Sequence, residues 1–309
     1  MAQLLFENLD IPFFDEKEYS DSTTYQYGIN SERITPKQLL KWIGNKQRFA
    51  TTIAKVFPEE YRTYFEPFVG SDAVLGAIAP KRGIAGDILK PLIDMWNLLK
   101  DNPKLLYDHY KNKWQAYMKN PLKIYIQTLA SYNENPNPLD LVFISRSCYG
   151  GVIRFTKKGN MSTPIGPHKP IPPESFKERV ILWRSRVKDT QFVTASFEET
   201  MSLAGQDDIV YCDPPYVDSQ AILYGAQLFK VEKLWEAIYQ AKSRGAKIAL
   251  SIDGHKKPGS KIVHLDIKKD DLFKRELLIE GGSSMLRRLQ KTGEIMVGED
   301  VHDRLLLTW

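Results

Sequence analysis

The chain has 309 residues, 42% of them hydrophobic, which is enough for one large domain or for one domain with a sizeable insertion. No apolar stretch approaches the ~20 residues needed to cross a bilayer, so the sequence is not typical of a membrane-spanning protein. Its two cysteines, Cys148 and Cys212, lie far apart, which argues against a disulfide framework or a zinc site and favours a reducing cytoplasm.

Residues 1–34 are acidic and rich in aromatic residues, have no clear period, and are expected to form an N-terminal extension. They lack the basic flank of a secretory signal. From residue 36 onwards, helix-like and strand-like spacings of apolar residues alternate, and this order predicts a parallel sheet covered by helices. The predicted elements are a helix around 49–57, a strand over 64–69, a helix over 73–78, a strand over 83–87 and a helix over 91–99.

The alternation then stops at an inserted segment. Residues 102–131 have helical spacing, residues 142–170 are predicted as a β-hairpin region with its turn at Lys157–Asn160, and a helix is predicted from Pro172 to Val187. Although the net charge of the chain is only +5, residues 101–190 hold 15 Lys and Arg against 7 Asp and Glu. This basic excess indicates a surface for a polyanion; a solvated surface with chance clustering is the alternative.

The sheet pattern returns after this insertion, so the sequence predicts an α/β domain interrupted by a second segment. We therefore predict an extension over residues 1–34, a sheet domain formed by residues 35–100 and 190–309, and an insertion over residues 101–189. The later predicted elements are strands over 190–194, 208–212, 247–252, 262–265, 276–279 and 305–309 and a helix over 235–243.

Three predicted strands end in residues suited to binding a ligand. In parallel α/β sheets, ligands bind beyond the carboxyl ends of the strands. Gly70 follows the first strand and lets a ligand approach the backbone, and Asp87 ends the second, where a carboxylate can bind ribose hydroxyls. Asp213 follows the strand over 208–212. A simple turn at Gly70 and a helix-capping role for Asp87 are the alternatives.

The most specific feature is the stretch Asp213-Pro214-Pro215-Tyr216. Consecutive prolines form a stiff, extended corner, because each fixes its own φ and restricts the residue before it. A carboxylate, a carbonyl oxygen and an aromatic ring then line one small pocket. That set suits a planar group bearing an NH₂, with its hydrogens on the two oxygens and its face on the ring. A turn that merely ends the strand is the alternative.

Four motifs occur along the chain in a fixed order. They are Lys41-Trp42-Ile43-Gly44-Asn45-Lys46, Phe65-Glu66-Pro67-Phe68-Val69-Gly70, the segment Phe143 to Phe155, and Asp213 to Tyr216. In this order they resemble the Lys-Trp-x-Gly-Gly-Lys motif, the Glu-Pro-Phe-x-Gly motif, the DNA-reading hairpin region and the catalytic tetrapeptide of the Dam-like (alpha-group) DNA adenine-N6 methyltransferase family. The resemblance covers about residues 38–309. It implies an α/β fold with the Rossmann-like sheet of class I methyltransferases, which depend on S-adenosyl-L-methionine. It also implies an inserted DNA-recognition domain made of helices and a hairpin.

The resemblance also implies where S-adenosylmethionine binds, with no metal required. Asp87 is expected on the ribose hydroxyls, Phe197 near the adenine, and Gly70 where the methionine part passes close to the backbone. Core packing of Trp42 and a solvated position for Lys46 are the alternatives. The implied cofactor residues are Trp42, Lys46, Phe68, Gly70, Asp87, Phe197 and Asp213.

Two residues depart from the family pattern near this site. The family usually has glycine where this chain has Asn45, and a small residue where it has Asp72. Both departures lie where the resemblance places S-adenosylmethionine.

The resemblance implies that the catalytic residues are Asp213, Pro214, Pro215 and Tyr216. Hydrogen bonds from the adenine amino group to Asp213 and to the Pro214 carbonyl favour a more tetrahedral nitrogen, whose lone pair then points at the methyl group. Tyr216 is expected to stack on the adenine, which must first flip out of the duplex.

Residues 101–189 are expected to be the target-recognition domain that contacts double-stranded DNA. The lysines suit phosphates, the hairpin tip with Asn160 and Ser162 suits bases, and Tyr149 is expected to intercalate or to pack beneath the hairpin. Ordinary surface is the alternative for each. The candidates are Arg146, Tyr149, Arg154, Lys157, Lys158, Asn160 and Lys169. Further candidates are Tyr224 and Phe229 for the other face of the flipped base and Arg287 and Arg288 for the DNA backbone.

The sequence thus predicts a monomeric, cytoplasmic, site-specific methyltransferase acting on adenine N6. It would serve a restriction-modification system, with a cognate restriction endonuclease as a possible partner, or a phage or solitary role. One alternative is the same chemistry on RNA adenine or on the cytosine amino group. The other is a catalytically silent DNA-binding module, which the departures at Asn45 and Asp72 favour.

Overall fold

One sheet organises the chain in the computed structural model, which describes residues 35–156, 158–215, 229–253, 272–280 and 302–309. The described strands are β1 Tyr64–Glu66, β2 Gly83–Asp87, β3 Thr190–Thr194, β4 Ile209–Cys212, β5 Lys247–Asp253, β6 Arg275–Glu280 and β7 His302–Leu307. Their order in the sheet is β3-β2-β1-β4-β5-β7-β6. Neighbours from β3 to β5 are parallel, whereas β7 pairs antiparallel with both β5 and β6.

Helices connect the parallel strands, as parallel pairing requires. Those described are α1 Ala50–Val56, α2 Ala73–Ile78, α3 Lys90–Asp101, α4 Pro103–Lys119, α5 Pro121–Glu134, α6 Pro138–Ser147, α7 Pro173–Val187, α8 Phe197–Ser202 and α9 Val231–Ser243. The predicted Rossmann-like α/β class is confirmed, and the last two predicted strands form the antiparallel pair β6 and β7. The predicted extension over residues 1–34 and strand over 262–265 lie outside the described residues.

Helices α4, α5 and α6 begin in the same way. In each, an asparagine is the N-cap and a proline takes the first helical position, where its missing N–H is not needed. The Asn102, Asn120 and Asn137 side chains accept hydrogen bonds from the backbone N–H three residues later, at 3.1, 3.3 and 2.9 Å. The repeated Asn-Pro pair therefore sets where the inserted helices start.

The β-hairpin predicted over residues 142–170 begins later than expected. Residues 138–147 form α6, in which the apolar run Leu141 to Ile144 is fully buried. A short apolar run without a clear period does not distinguish a strand from a buried helix, which explains the wrong prediction for residues 142–147. Isolated antiparallel bridges join Phe155 to Met161 and Cys148 to Ile165, and these form the hairpin region that remains.

The core continues from the sheet into the inserted helices. Trp96 of α3 packs against Trp183 of α7 and stacks on Phe192 of β3, with ring centroids 5.2 and 5.6 Å apart. Elsewhere Leu234 and Ile238 of α9 belong to the buried cluster on β4 and β5. The carboxyl ends of β1, β2 and β4 therefore stand on a scaffold packed on both sides. Within the described residues, no helix is both long and apolar enough to cross a membrane.

Candidate active site

The loop before α1 places Trp42 beside the turn after β1 and Lys46 beside Asp213, which follows β4. Its conformation is fixed by Asn45, whose side-chain amide donates to the Trp42 carbonyl at 2.7 Å. The Asn45 side-chain oxygen accepts from the Gln38 side chain at 2.7 Å and from the Gln47 backbone N–H at 3.2 Å. Asn45 is therefore a cross-link within the loop, and its departure from the family pattern preserves the loop rather than disrupting it.

The turn after β1 depends on glycine. Gly70 has φ +48°, and a Cβ there would lie 3.3 Å from Trp42 Cδ1. The Gly70 carbonyl accepts a hydrogen bond from the Trp96 indole N–H at 3.4 Å. The Gly70 backbone N–H donates to Asp87 Oδ2, also at 3.4 Å. Asp87, at the end of β2, also accepts from the Leu89 N–H at 2.9 Å. These contacts hold the Gly70 turn beside the Asp87 carboxylate, which can accept hydrogen bonds from a ligand with hydroxyl groups.

Aromatic rings form one wall beside this turn. The Phe68 and Phe197 rings stack with centroids 5.2 Å apart, and Phe229 meets them at 6.1 and 5.8 Å. Ser196 caps α8 through a capping box with Glu199, which fixes the start of the helix at Phe197. Phe229, a candidate for the flipped base, thus packs with two predicted cofactor residues.

Beyond β4, the chain turns into the Asp-Pro-Pro corner. Asp213 Oδ1 lies 2.8 Å from Lys46 Nζ, and this ion pair ties the carboxylate to the loop before α1. Pro214 is buried and Pro215 is partly exposed. Tyr216, the predicted stacking ring, lies outside the described residues, as do Tyr224, Arg287 and Arg288.

Two buried acids lie near this ion pair, and sequence reasoning gave neither of them a role. Glu66 accepts from the Tyr64 hydroxyl at 2.7 Å and from the Leu75 N–H at 3.1 Å. Burial, opposed by the Tyr64 hydrogen bond, raises the pKa of Glu66 to about 8. Burial and the nearby Glu66 also raise the pKa of Asp72 well above its usual value. The signal that sequence reasoning passed over is an acid within an apolar strand, because a buried carboxyl is costly unless it has a role.

These residues surround one cavity of about 330 Å³ at the carboxyl edge of the sheet. Its volume is within the range of about 300–1,000 Å³ usual for small-molecule sites. The predicted catalytic and cofactor residues on its lining are Trp42, Lys46, Phe68, Gly70, Asp87, Phe197, Asp213, Pro214 and Pro215. The described residues contain no group of three or more His, Cys, Asp or Glu placed to hold a metal ion.

The hairpin region carries most of the predicted DNA contacts. Its base is fixed to α5, because Asn133 bonds both backbone groups of Met161, at 2.9 and 2.7 Å, and the Tyr125 hydroxyl donates to the Thr163 carbonyl at 2.8 Å. Lys157 lies outside the described residues. The predicted residues that are exposed are Tyr149, Arg154, Lys158, Asn160 and Lys169.

Arg146 does not fit its predicted DNA contact. It lies in α6, is 5% exposed, and donates to the carbonyls of Gln38 and Leu39, both at 3.0 Å. Arg179 of α7 also donates to the Gln38 carbonyl. Arg146 is therefore a structural link between the inserted helices and the loop that carries Trp42, which corrects the sequence-based prediction.

Comparison with known proteins finds similarity over most of the chain. Residues 42–280 match the family described as D12 class N6 adenine-specific DNA methyltransferase. A DNA adenine methylase of Vibrio cholerae is 31% identical over 185 residues, which are 58% of this chain and 65% of that protein. One of Haemophilus influenzae is 28% identical over 61% of this chain and 66% of that protein. The type II methyltransferase M1.LlaDCHI of Lactococcus lactis is 25% identical over 72% of this chain and 83% of that protein. The chain thus spans just under two thirds of the length of the first two relatives.

Proposed function

The chain belongs to the family of D12 class N6 adenine-specific DNA methyltransferases, and we propose that it methylates N6 of an adenine flipped out of double-stranded DNA. The observation that carries this proposal is the single cavity that joins the Gly70 turn, Asp87 and the Asp213-Pro214 corner. A small-molecule donor and a base amino group can meet there, because both sets of residues lie on one lining.

The described residues fit S-adenosyl-L-methionine as the donor. Gly70 lies on the cavity lining and has no side chain of its own to fill it, and Asp87 presents a carboxylate for ribose hydroxyls. The stacked rings of Phe68 and Phe197 offer an apolar wall for an adenine. When bound, S-adenosylmethionine supplies an electrophilic methyl group on a sulfonium.

Asp213 and Pro214 position the amino group that receives the methyl. The adenine nitrogen is a poor nucleophile because its lone pair is delocalised into the ring. The Asp213 carboxylate and the Pro214 carbonyl accept its two hydrogens and favour a tetrahedral nitrogen, while Lys46 holds the carboxylate in place. The nitrogen gains the methyl group and loses one proton afterwards, so Asp213 need not act as a strong base.

The substrate base must leave the duplex before it reaches this corner, at a cost of roughly a few kcal/mol. We assign to Tyr216 the stacking that offsets roughly 1–3 kcal/mol of that cost. Residues 101–189 act as the target-recognition domain, with the hairpin between Arg154 and Ser162 towards the DNA. The exposed Arg154, Lys158 and Lys169 suit phosphates or guanine edges.

We assign the protein to the cytoplasm, as a monomer. We also assign it to a restriction-modification system with a cognate endonuclease, and the name of M1.LlaDCHI, a type II methyltransferase, supports this second assignment. The test is expression in a methylation-free host, followed by genome-wide mapping of modified bases. N6-methyladenine at one short sequence supports the proposal, and its loss in Asp213→Ala assigns it to this site. Methylcytosine, methylated RNA alone, or no modification despite intact DNA binding would overturn it. Size-exclusion chromatography tests the monomeric state. Resistance of the host DNA to cleavage by one restriction endonuclease tests whether the protein has a cognate endonuclease.

A further inference from the structure

Asp72, on the cavity lining, has an unfavourable backbone conformation and a buried carboxyl group. It precedes α2 with φ +60°, a conformation that favours glycine, and only 1% of its surface is exposed. The described residues give neither of its carboxylate oxygens a hydrogen-bond partner. A buried carboxyl without a partner destabilises a fold, and glycine at this position would remove both penalties. Such a residue points to a ligand group that it meets when the cavity is filled.

The charges around Asp72 show what kind of ligand group it requires. Glu66 of β1, hydrogen-bonded to Tyr64, is the acid whose charge acts on Asp72, and Asp213 beyond β4 acts on Glu66 in turn. Lys46 of the preceding loop is in an ion pair with Asp213. With acids on two strands and this lysine engaged elsewhere, the complementary ligand group is a cation that can donate hydrogen bonds.

We propose that Asp72 binds the α-ammonium group of the methionine part of S-adenosylmethionine, as a cofactor-positioning residue particular to this chain. The inference rests on the proposed function. The ligand carries two cationic centres, but its sulfonium has no N–H or O–H and cannot donate a hydrogen bond. The α-ammonium has three donors, and Gly70, where the methionine part is expected to pass, lies on the same cavity lining as Asp72.

A proton balance accompanies this contact. Burial, with the nearby Glu66 adding to the effect, raises the pKa of Asp72 well above its usual value, so the carboxyl favours its protonated form before the ligand binds. When the ammonium arrives, the carboxyl loses its proton to solvent and the ion pair forms, so binding releases up to one proton per ligand. The charged and titratable groups that share the cavity lining with Asp72 are Lys46, Glu66, Asp87, Glu198, Tyr211, Asp213 and Lys233, and Tyr64 interacts with Asp72 electrostatically.

Calorimetry with two ligands tests the contact. S-adenosylhomocysteine carries the α-ammonium, whereas 5′-methylthioadenosine lacks the whole amino-acid part. In Asp72→Gly, affinity for the first should fall about tenfold to a hundredfold, the worth of a charge-assisted hydrogen bond, while affinity for the second stays constant. Asp207→Gly is the matched control, because Asp207 has φ +61° and is exposed. Equal losses for both ligands, or no loss for either, would overturn the assignment.

A second readout follows the proton. At pH 7, titrations of S-adenosylhomocysteine in two buffers of different ionisation enthalpy should show proton release by the wild type and less release by Asp72→Asn. Equal release by the two proteins excludes Asp72 as the group that ionises. These results are separate from the proposed function, because a wild type that binds S-adenosylhomocysteine through Asp72 but methylates no DNA would overturn that function alone.

Discussion

Lys46 Nζ lies 2.8 Å from Asp213 Oδ1, and this ion pair joins the loop before α1 to the corner after β4. The two side chains are only 7% and 17% exposed, so solvent and salt screen the pair less than a surface ion pair. Lys46 therefore contacts the Asp-Pro-Pro corner from the loop that also carries Trp42. This ion pair joins the loop, where we propose that the cofactor binds, to the corner where we propose that the base binds.

We expect Asp213→Asn to separate methyl transfer from cofactor binding. Asparagine keeps an acceptor oxygen but loses the charge that pairs with Lys46 and that stabilises the developing positive charge on the nitrogen. The single-turnover rate of methyl transfer should fall by about 100-fold or more, while the dissociation constant of S-adenosylmethionine changes by less than about tenfold. Asp94→Asn removes a carboxylate from the exposed Lys90–Asp94 pair and should leave both quantities unchanged. A rate that survives in Asp213→Asn would contradict the role of this carboxylate.

A second prediction concerns Gly70, whose backbone and neighbours both exclude a side chain. Alanine in the left-handed region costs roughly 1–2 kcal/mol, and at Gly70 its Cβ would also displace Trp42. Gly70→Ala should therefore weaken binding of S-adenosylmethionine as measured by calorimetry. Gly159→Ala is the matched control, since Gly159 has φ +83° but nothing within 4 Å of its Cβ position. If both variants bind the cofactor equally well, close packing of Trp42 on Gly70 has no role in binding.

The strand ends of the site could be predicted because their signals are local. Apolar runs ending in Gly70, Asp87 and Asp213 indicated parallel strands, and parallel strands bring such residues to one edge. The structure places all three on one cavity. The residues at the strand ends were thus enough to predict that Gly70, Asp87 and Asp213 lie at one edge of the sheet, without knowledge of how the core packs behind them.

Other features of the site depend on tertiary packing, which the spacing of apolar and polar residues in the sequence does not reveal. Arg146 looked like a surface cation, but α6 turns it inwards onto the carbonyls of Gln38 and Leu39. Asp72 looked like a defect in a motif, and only its buried, unpartnered carboxyl suggests a ligand contact. The helix at residues 138–147 was missed although Asn137-Pro138 signals a helix start.

The corrected role of Arg146 gives a third prediction. Arg146→Met keeps the length of the side chain but leaves the buried Gln38 and Leu39 carbonyls with fewer donors, which should cost about 1–3 kcal/mol in the free energy of unfolding. S-adenosylmethionine should bind more weakly because the loop carrying Trp42 loosens, while the salt dependence of DNA binding stays the same. Denaturant titration, calorimetry and DNA binding at several salt concentrations measure these effects. A shallower salt dependence would restore Arg146 as a phosphate contact.

The hairpin lysines should behave in the opposite way. Replacing Lys157 and Lys158 together by Gln should flatten the dependence of the DNA binding constant on salt, by about 0.9 in the log–log slope for each phosphate that the protein no longer neutralises. Cofactor binding should not change. Lys81 and Arg82, exposed just before β2 and thus at the sheet edge away from the cavity, provide a control with two charges removed. An equal change of slope in that control would indicate a general effect of net charge.

The buried Glu66 predicts how stability depends on pH. Burial raises its pKa from 4.5 to about 8, with the Tyr64 hydrogen bond opposing and the Asp213 charge adding to the shift. Between these values the unfolded chain has released the proton that the folded protein still holds. The free energy of unfolding should therefore fall as pH rises from about 4.5 to about 8, by up to about 1.4 kcal/mol per pH unit. Above pH 8 both states are ionised and this slope ends.

Glu66→Gln tests that slope, because the amide oxygen can still accept from the Tyr64 hydroxyl and the Leu75 N–H. Urea titrations at half-unit pH steps should show a flatter profile for this variant and higher stability than the wild type at pH 8. Glu236→Gln removes a carboxylate from an exposed position on α9, which separates burial from net charge. If the Glu66→Gln profile kept the wild-type slope, the carboxyl at the end of β1 would be ionised in the folded protein. The cavity would then carry one more negative charge beside Asp213 than the structure indicates.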